Sequence, residues 1–248
     1  MRKTLLALIV TLATLTPAGI AVAGEPFAVV ELFTSQGCNS CPGAEAVLRD
    51  LSAHARESGL RIIPIEWHVD YWDRLGWPDP FGDPEHSQRQ RRYARALGQR
   101  GPYTPQIIVN GTTIVRPAQR RQLVFDQAEM ALEQPAQAEV TLSAGLAERA
   151  LDVSFSVSDA PRRAAMMLIV VERGLGNHVP RGENRGKTLR HDEVVRAHHD
   201  LGRIGRETSG TFALEVPEDV DLAMASLICI VHDPVTMEIV GAASVDLT

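Results

Sequence analysis

Two cysteines spaced as Cys-x-x-Cys, Cys38 and Cys41, are the residues of this chain best suited to chemistry. They follow a strand-type run, residues 28–33, and precede Pro42, which suits the first turn of a helix because it has no N–H to leave unpaired. The N-terminus of a helix offers free N–H groups and a partial positive charge, and both favour a thiolate over a thiol. This order predicts a thiol–disulfide site in which Cys38 attacks and Cys41 resolves the mixed disulfide.

The cysteine pair also has alternative interpretations. It could bind a soft metal such as copper or zinc, or it could be a structural disulfide beside an aromatic loop that binds a ligand. A zinc site needs further ligands, and the chain has no second cysteine pair, with His68 and His54 the nearest histidines. The third cysteine, Cys229, lies in an apolar run typical of a buried strand, which favours an inert core residue. We therefore predict no metal ligand and no cofactor.

The first half of the chain alternates between strand and helix patterns. Asp83 before Pro84 is typical of a helix start, and Asn110-Gly111 suits a type I′ hairpin turn. The predicted elements are a strand at 28–33, a helix from 42 that ends before Gly59, a strand at 60–66, a helix at 85–98, a hairpin at 107–115 and a helix at 123–131.

This order of elements resembles the thioredoxin fold over residues 25–134. The resemblance implies a cis bond between Thr104 and Pro105, which lies opposite the cysteines and before the hairpin. It also implies that the backbone of Thr104, with its neighbour Tyr103, holds an extended substrate chain. Pro105 therefore joins the two cysteines in the predicted catalytic set.

An aromatic and polar segment follows the second predicted strand and includes Trp67, His68, Asp70 and Trp72. The carboxyl edge of the parallel strands carries the active site in open α/β sheets, so we predict that these four residues bind substrate beside the sulfurs. There, His68 could stabilise the attacking thiolate or shuttle a proton, and Asp70 could accept a proton from the resolving cysteine. The alternative is a loop packed by its own rings, with the acids forming turns.

The pattern changes to period two beyond a linker at residues 135–138, and several short strands in this half predict a β-sandwich. The predicted fold class is an α/β thioredoxin-like domain followed by an all-β sandwich-like domain. The first domain, with its inserted helix, spans residues 24–136, and the second spans residues 137–248. Residues 174–199 predict a long polar loop that either reaches over the cysteines or is a solvated excursion. Four histidines in this loop, His178, His191, His198 and His199, match no standard metal-site spacing.

The N-terminal residues 1–23 predict a secretory signal peptide, with a basic start, a short apolar core and the cleavage sequence Ala21-Val22-Ala23. The expected location is periplasmic or secreted, where disulfides persist, with no membrane association after cleavage. The formal net charge of −6 argues against nucleic-acid binding. The expected partner is a disulfide or dithiol protein, or a small thiol.

The run Val-Glu-Leu-Phe-Thr-Ser-Gln-Gly-Cys-Asn-Ser-Cys-Pro at residues 30–42 resembles a bacterial family of secreted thioredoxin-like proteins known only as a domain of unknown function. Further matches lie at residues 68–73, 75–77, 79–81, 89–90, 103–106, 182–184 and 194–196. The resemblance implies a thioredoxin-like domain fused to a β-rich domain, and no particular substrate. The predicted function is a periplasmic thiol–disulfide oxidoreductase, with the direction of electron flow left open by Asn39-Ser40 between the cysteines.

Overall fold

The computed structural model describes residues 21–22, 25–147 and 150–247. The predicted signal peptide lies outside the described residues except for Ala21 and Val22, which form the short strand β1. In the described part of the chain, no helix is both long and apolar enough to cross a membrane.

Three α-helices, two 3-10 helices and fourteen strands are described. The first half contains β2 (Ala28–Thr34), α1 (Pro42–Ser58), β3 (Ile62–His68), a 3-10 helix (Asp70–Leu75), α2 (Pro84–Ala96), β4 (Gln106–Val109), β5 (Thr113–Val115) and α3 (Arg121–Ala131). The second half contains β6 (Glu139–Ala147), β7 (Ala150–Ser158), β8 (Ala165–Glu172), β9 (Leu175–His178), β10 (Thr188–His191), β11 (Val194–Arg203), β12 (Thr208–Glu215), a 3-10 helix (Leu222–Met224), β13 (Ala225–His232) and β14 (Ile239–Asp246).

Local sequence signals explain the ends of several first-half elements. Helix α1 has Pro42 in its first turn and ends at Gly59, whose φ of 67° suits a residue without a Cβ. The Asp83 carboxylate caps α2 by accepting a hydrogen bond from the backbone N–H of Glu85 at 2.6 Å. Asn110 has a positive φ, as the predicted hairpin turn requires. The predicted helices and the hairpin of this half are therefore confirmed.

The expected fold class, an α/β thioredoxin-like domain followed by an all-β sandwich-like domain, is wrong. The chain is mostly β, and strands from both halves form one mixed eight-stranded sheet in the order β14-β13-β8-β11-β3-β2-β4-β5. The halves join where β11 pairs in parallel with β3 at Val194 and Glu66. The backbone N–H of Glu66 also donates to the carbonyl of Glu193 at 2.7 Å. The predicted boundary at residues 136/137 therefore falls between α3 and β6, and strands on both sides of it share this sheet.

A second sheet, in the order β1-β6-β7-β12, packs against the second-half part of the large sheet. Alternate residues of β8 and β13 enter this core, as their period-two geometry requires. A separate core lies between the first-half strands and the helices α1 and α3. Tyr93 of α2 contributes to a third core, which also contains Phe33 of β2 and Ile169 of β8. This third core thus combines residues from both halves of the chain.

The segment at residues 174–199, expected to be a long polar loop, contains regular structure. Strands β9 and β10 pair antiparallel as a separate two-stranded sheet, with His178 opposite Thr188 and His191 opposite Leu175. The pairing leaves His178 exposed and buries His191. The hairpin thereby carries one histidine of the second half into the interior behind the cysteines.

Candidate functional site

Cys38 and Cys41 form a disulfide with a Cα–Cα distance of 5.5 Å. Cys41 is the N-cap residue of α1, and its carbonyl accepts the first helical hydrogen bonds, from Ala44 at 2.9 Å and Glu45 at 3.1 Å. Both cysteines are buried, with exposed fractions of 1% and 0%. The two residues between them are exposed, and the Ser40 hydroxyl lies 3.4 Å from the Cys38 sulfur.

The Thr104–Pro105 peptide bond is cis, as expected. Trp72 connects this bend to the cysteine loop, because its ring N–H donates to the Thr104 hydroxyl at 2.8 Å. Its Cβ also lies 2.9 Å from the position that a Cβ on Gly37 would occupy. The structure therefore brings Trp72, Thr104 and Pro105 together beside the cysteines. The Arg116–Pro117 bond is also cis, which was not predicted from sequence.

An open groove of about 510 Å³ lies along this bend. Its lining residues are Tyr103, Thr104, Pro105, Arg116, Pro117, Ala118 and Gln119. The Gln119 side-chain amide donates to the carbonyl of Ser40 at 3.0 Å, so the groove ends at the cysteine loop. On its other side, the Arg116 guanidinium lies 4.5 Å from the centre of the Tyr103 ring and donates to the Tyr103 hydroxyl at 2.6 Å.

Trp67 and His68 point to opposite faces of the large sheet, because successive side chains of a strand alternate. Trp67 is buried on the α2 face, where its ring N–H donates to Glu31 at 2.9 Å. There it borders a cleft of about 650 Å³ whose lining includes four arginines of α2. The expected pocket with both Trp67 and His68 beside the sulfurs is therefore not formed.

Asp70 lies at the start of the 3-10 helix and accepts a hydrogen bond from the hydroxyl of Ser87 in α2. The buried carboxyl next to the cysteines along the chain is instead Glu45, one turn into α1. Its side chain accepts a hydrogen bond from the Thr34 hydroxyl at 2.6 Å. Burial, followed by the charge of Glu66, raises the pKa of Glu45 to about 7.

A buried polar cluster lies behind the cysteine loop. His68 is held between two carboxylates, with Nδ1 2.7 Å from Asp79 and Nε2 2.8 Å from Glu66. His191 Nδ1 lies 2.8 Å from the same oxygen of Glu66 and 3.7 Å from Glu45. These five residues come from both halves of the chain and are all at most 5% exposed.

The cluster shifts the pKa values of its members. Burial alone would lower the pKa of His68, but Asp79 and Glu66 raise it well above its usual value. Burial alone would raise the pKa of Glu66, but His191 and then His68 outweigh burial and lower this pKa overall. Likewise, His68 outweighs burial and lowers the pKa of Asp79. The cluster therefore favours ionised Glu66 and Asp79 around a protonated His68.

Gln36 connects this cluster to the cysteine loop. Its backbone N–H donates to Asp79 at 2.7 Å, and its side-chain nitrogen lies 3.2 Å from His191 Nε2. The Asn184 amide then covers the loop, donating to the carbonyls of Gln36 and Cys38, both at 2.9 Å. Next to it, Glu183 accepts a hydrogen bond from the exposed backbone N–H of Asn39 at 3.2 Å.

Sequence analysis missed Glu45, Glu66, Asp79 and Gln36 as members of the site. Glu45 resembles an ordinary first-turn acid of a helix, and Glu66 lies inside an apolar strand. Asp79 and Asn184 lie in segments that match the family named by resemblance, and this match was the one indication of a role for them. Cys229 lies in β13 and is buried, and burial raises the pKa of its thiol to about 12, so it is a poor source of thiolate.

The family described as "Protein of unknown function (DUF1223)" matches residues 29–232 of the chain. A crystal structure of an Agrobacterium tumefaciens protein, a target of the Northeast Structural Genomics Consortium, has 27% sequence identity to the chain and a TM-score of 0.64. The alignment covers 91% of this chain and 97% of that one. No curated protein matches the chain. Because the family match spans most of its length, this chain belongs to the DUF1223 family.

Proposed function

We propose that this protein is a thiol–disulfide oxidoreductase that acts outside the cytoplasm, where disulfides persist. One observation carries the proposal: the Cys38–Cys41 disulfide lies at the first turn of α1, next to a groove that contains Thr104 and Pro105. A fixed disulfide in a protein core needs no such groove. A disulfide that exchanges with a partner needs a surface that aligns the partner's sulfur.

The exchange proceeds in two balanced steps. The Cys38 thiolate attacks one sulfur of a partner disulfide, which forms a mixed disulfide and releases the other partner sulfur as a thiolate. The Cys41 thiolate then attacks the Cys38 sulfur, which closes the Cys38–Cys41 disulfide and releases the second partner thiolate. Two electrons pass from the pair to the partner, and the reverse sequence oxidises a partner dithiol.

The N-terminus of α1 supports this chemistry electrostatically. The partial positive charge of the helix end and the nearby Ser40 hydroxyl both favour a thiolate at Cys38. The groove provides the partner site: it is open and ends at Ser40, where the Gln119 amide is bonded. We infer that an extended segment of a partner protein lies along it, with its cysteine next to Cys38. A small thiol is the simpler alternative substrate.

Burial of both cysteines favours a second candidate, a permanent structural disulfide. The small stabilisation that this disulfide can provide argues against that role. The bond joins residues with a sequence separation of 3, and so short a loop stabilises a fold by only about 2 kcal/mol in the chain-entropy account. Exchange requires local opening above Cys38, where the segment at residues 182–184 contacts the loop.

The test is reduction of insulin by dithiothreitol, together with oxidation of a reduced two-cysteine peptide, using the chain without residues 1–23. We expect wild-type protein to accelerate at least one reaction and Cys38→Ser to abolish the acceleration. Cys229→Ala is the matched control, because it removes a cysteine remote from the groove and should retain activity. Equal inactivity of wild type and Cys38→Ser with both substrates would contradict the proposal.

A further inference from the structure

The buried cluster contains a set of possible metal ligands that is independent of the cysteines. Glu66, His68 and His191 each offer one ligand atom, and these atoms all lie within 4.8 Å of one another. The three residues are at most 1% exposed. They come from β3 and β10, so a shared ion would join the two halves of the chain.

The second ring nitrogen of each histidine is already engaged. Asp79 lies 2.7 Å from His68 Nδ1, which leaves Nε2 facing Glu66. Gln36 lies next to His191 Nε2, which leaves Nδ1 facing the same oxygen of Glu66. Metal-binding histidines in proteins typically donate the N–H of the nitrogen that does not bind to a carboxylate, and Asp79 is placed to accept such a bond from His68.

Two further observations favour a cation at this position. The second carboxylate oxygen of Glu66 is buried and has no hydrogen-bond partner among the described residues. The cluster also holds three buried carboxyl groups, on Glu45, Glu66 and Asp79, against two imidazoles. Isolated buried charge is costly, so such a group either takes up a proton or binds a cation.

We propose that Glu66, His68 and His191 bind a divalent first-row transition metal ion, with Glu45 as a fourth ligand. Imidazole and carboxylate donors suit ions such as Zn²⁺, Ni²⁺ and Mn²⁺, and the absence of a thiolate disfavours Cu(I). Four protein ligands and a buried position make it a closed, structural site. A ligating nitrogen must be unprotonated, so protons compete with the metal ion for this site.

The distances between the ligand atoms must change on binding. Ligand atoms roughly 2.1 Å from a tetrahedral metal lie about 3.4 Å from one another. The two contacts to Glu66 are shorter than this, at 2.8 Å, so they must lengthen by roughly half an ångström. The contact from His191 to Glu45, at 3.7 Å, must shorten slightly.

The experiment uses the oxidised chain without residues 1–23, stripped with a chelator and titrated with Zn²⁺ and, separately, Co²⁺. We expect one equivalent of Zn²⁺ to bind, the visible absorption of four-coordinate Co²⁺ to appear, and the melting temperature to rise. The variant His191→Gln should weaken binding at least tenfold. Asp79→Asn, which alters the group that orients His68, should weaken it by about tenfold. His178→Gln is the control, because this exposed histidine lies in the same hairpin. The metal affinity of this variant should match that of the wild type.

Two results would overturn the metal site. One is a folded wild-type chain that binds neither Zn²⁺ nor Co²⁺ at micromolar concentrations, a result that does not depend on any variant folding. The other is binding that disappears in the double variant Cys38→Ser/Cys41→Ser but persists in His191→Gln, which would assign the metal to the cysteines. Retention by the double cysteine variant supports the proposal, and the outcome is separate from the redox assay.

Discussion

The side-chain amide of Asn184 donates a hydrogen bond to the backbone carbonyl of Cys38 at 2.9 Å, across 146 residues of sequence. Asn184 is fully buried, and the same amide also contacts the carbonyl of Gln36. The second half of the chain therefore fixes the conformation of the cysteine loop directly.

Replacing Asn184 with alanine should expose the disulfide. The change leaves two carbonyl oxygens of the loop without their donor, which should lower the free energy of unfolding by about 1–3 kcal/mol. The loop should open more often, so dithiothreitol should reduce the disulfide faster than in wild type. Alkylation of free thiols followed by mass spectrometry measures this rate. Glu183→Gln, which alters an exposed contact to the same loop, should change both quantities little; equal reduction rates in wild type and Asn184→Ala would refute the covering role.

The hydrogen bond between Trp72 and Thr104 should couple the 3-10 helix to the cis-proline bend. Trp72→Phe and Thr104→Val each remove this bond, and each should cost about 1 kcal/mol of stability. Because both changes remove the same interaction, the double variant should be destabilised by less than the sum of the two. Urea unfolding of the four proteins measures the coupling. Strict additivity would indicate that the bond contributes nothing.

Gly37 should not tolerate a side chain. A Cβ at this position would lie 2.9 Å from the Cβ of Trp72, a distance that forces one of the two elements to move. Gly37→Ala should therefore destabilise the protein by about 1–3 kcal/mol. Gly101→Ala is the matched control, because no atom lies within 4 Å of its Cβ position. Similar melting temperatures for the two variants would argue against close packing of Trp72 on the loop.

Stability should fall as the pH drops from about 6.5 to about 4, partly because of His232. Burial, followed by the charge of Arg89, lowers the pKa of His232 from 6.5 to about 4. Within this range the unfolded chain binds a proton that the folded protein excludes, so acid favours unfolding. His232→Gln should reduce this pH dependence in urea unfolding experiments, whereas the exposed His178→Gln should not. Identical pH profiles for wild type and His232→Gln would contradict the assignment.

Local signals in the sequence predicted the first-half elements well. Pro42 and Gly59 set the limits of α1, Asp83 capped α2, and Asn110-Gly111 turned the hairpin. Each signal depends on residues close in sequence. The thioredoxin-like-plus-sandwich fold failed because the decisive pairing, Val194 with Glu66, is a long-range contact. The apolar pattern of a strand does not identify its neighbour in a sheet.

In the candidate site, too, features set by local sequence could be predicted and features set by long-range contacts could not. The cysteine pair and Pro105 could be predicted from spacing and from the order of elements. The meeting of His68 with His191 could not, because their separation matches no metal motif and depends on the β9–β10 hairpin. Alternation along a strand places Trp67 and His68 on opposite faces of the sheet. It could not be applied from sequence, because the predicted strand ended at residue 66, whereas β3 continues to His68.

The reduction potential of the Cys38–Cys41 pair tests the central claim most directly. The protein is equilibrated with thiol–disulfide buffers of set potential, and the free thiols are counted by alkylation and mass spectrometry. We predict a midpoint above about −300 mV, in the range of disulfides that exchange with cellular thiols, with Cys229 unchanged throughout. A midpoint well below about −300 mV would contradict the account and identify the bond as a structural disulfide.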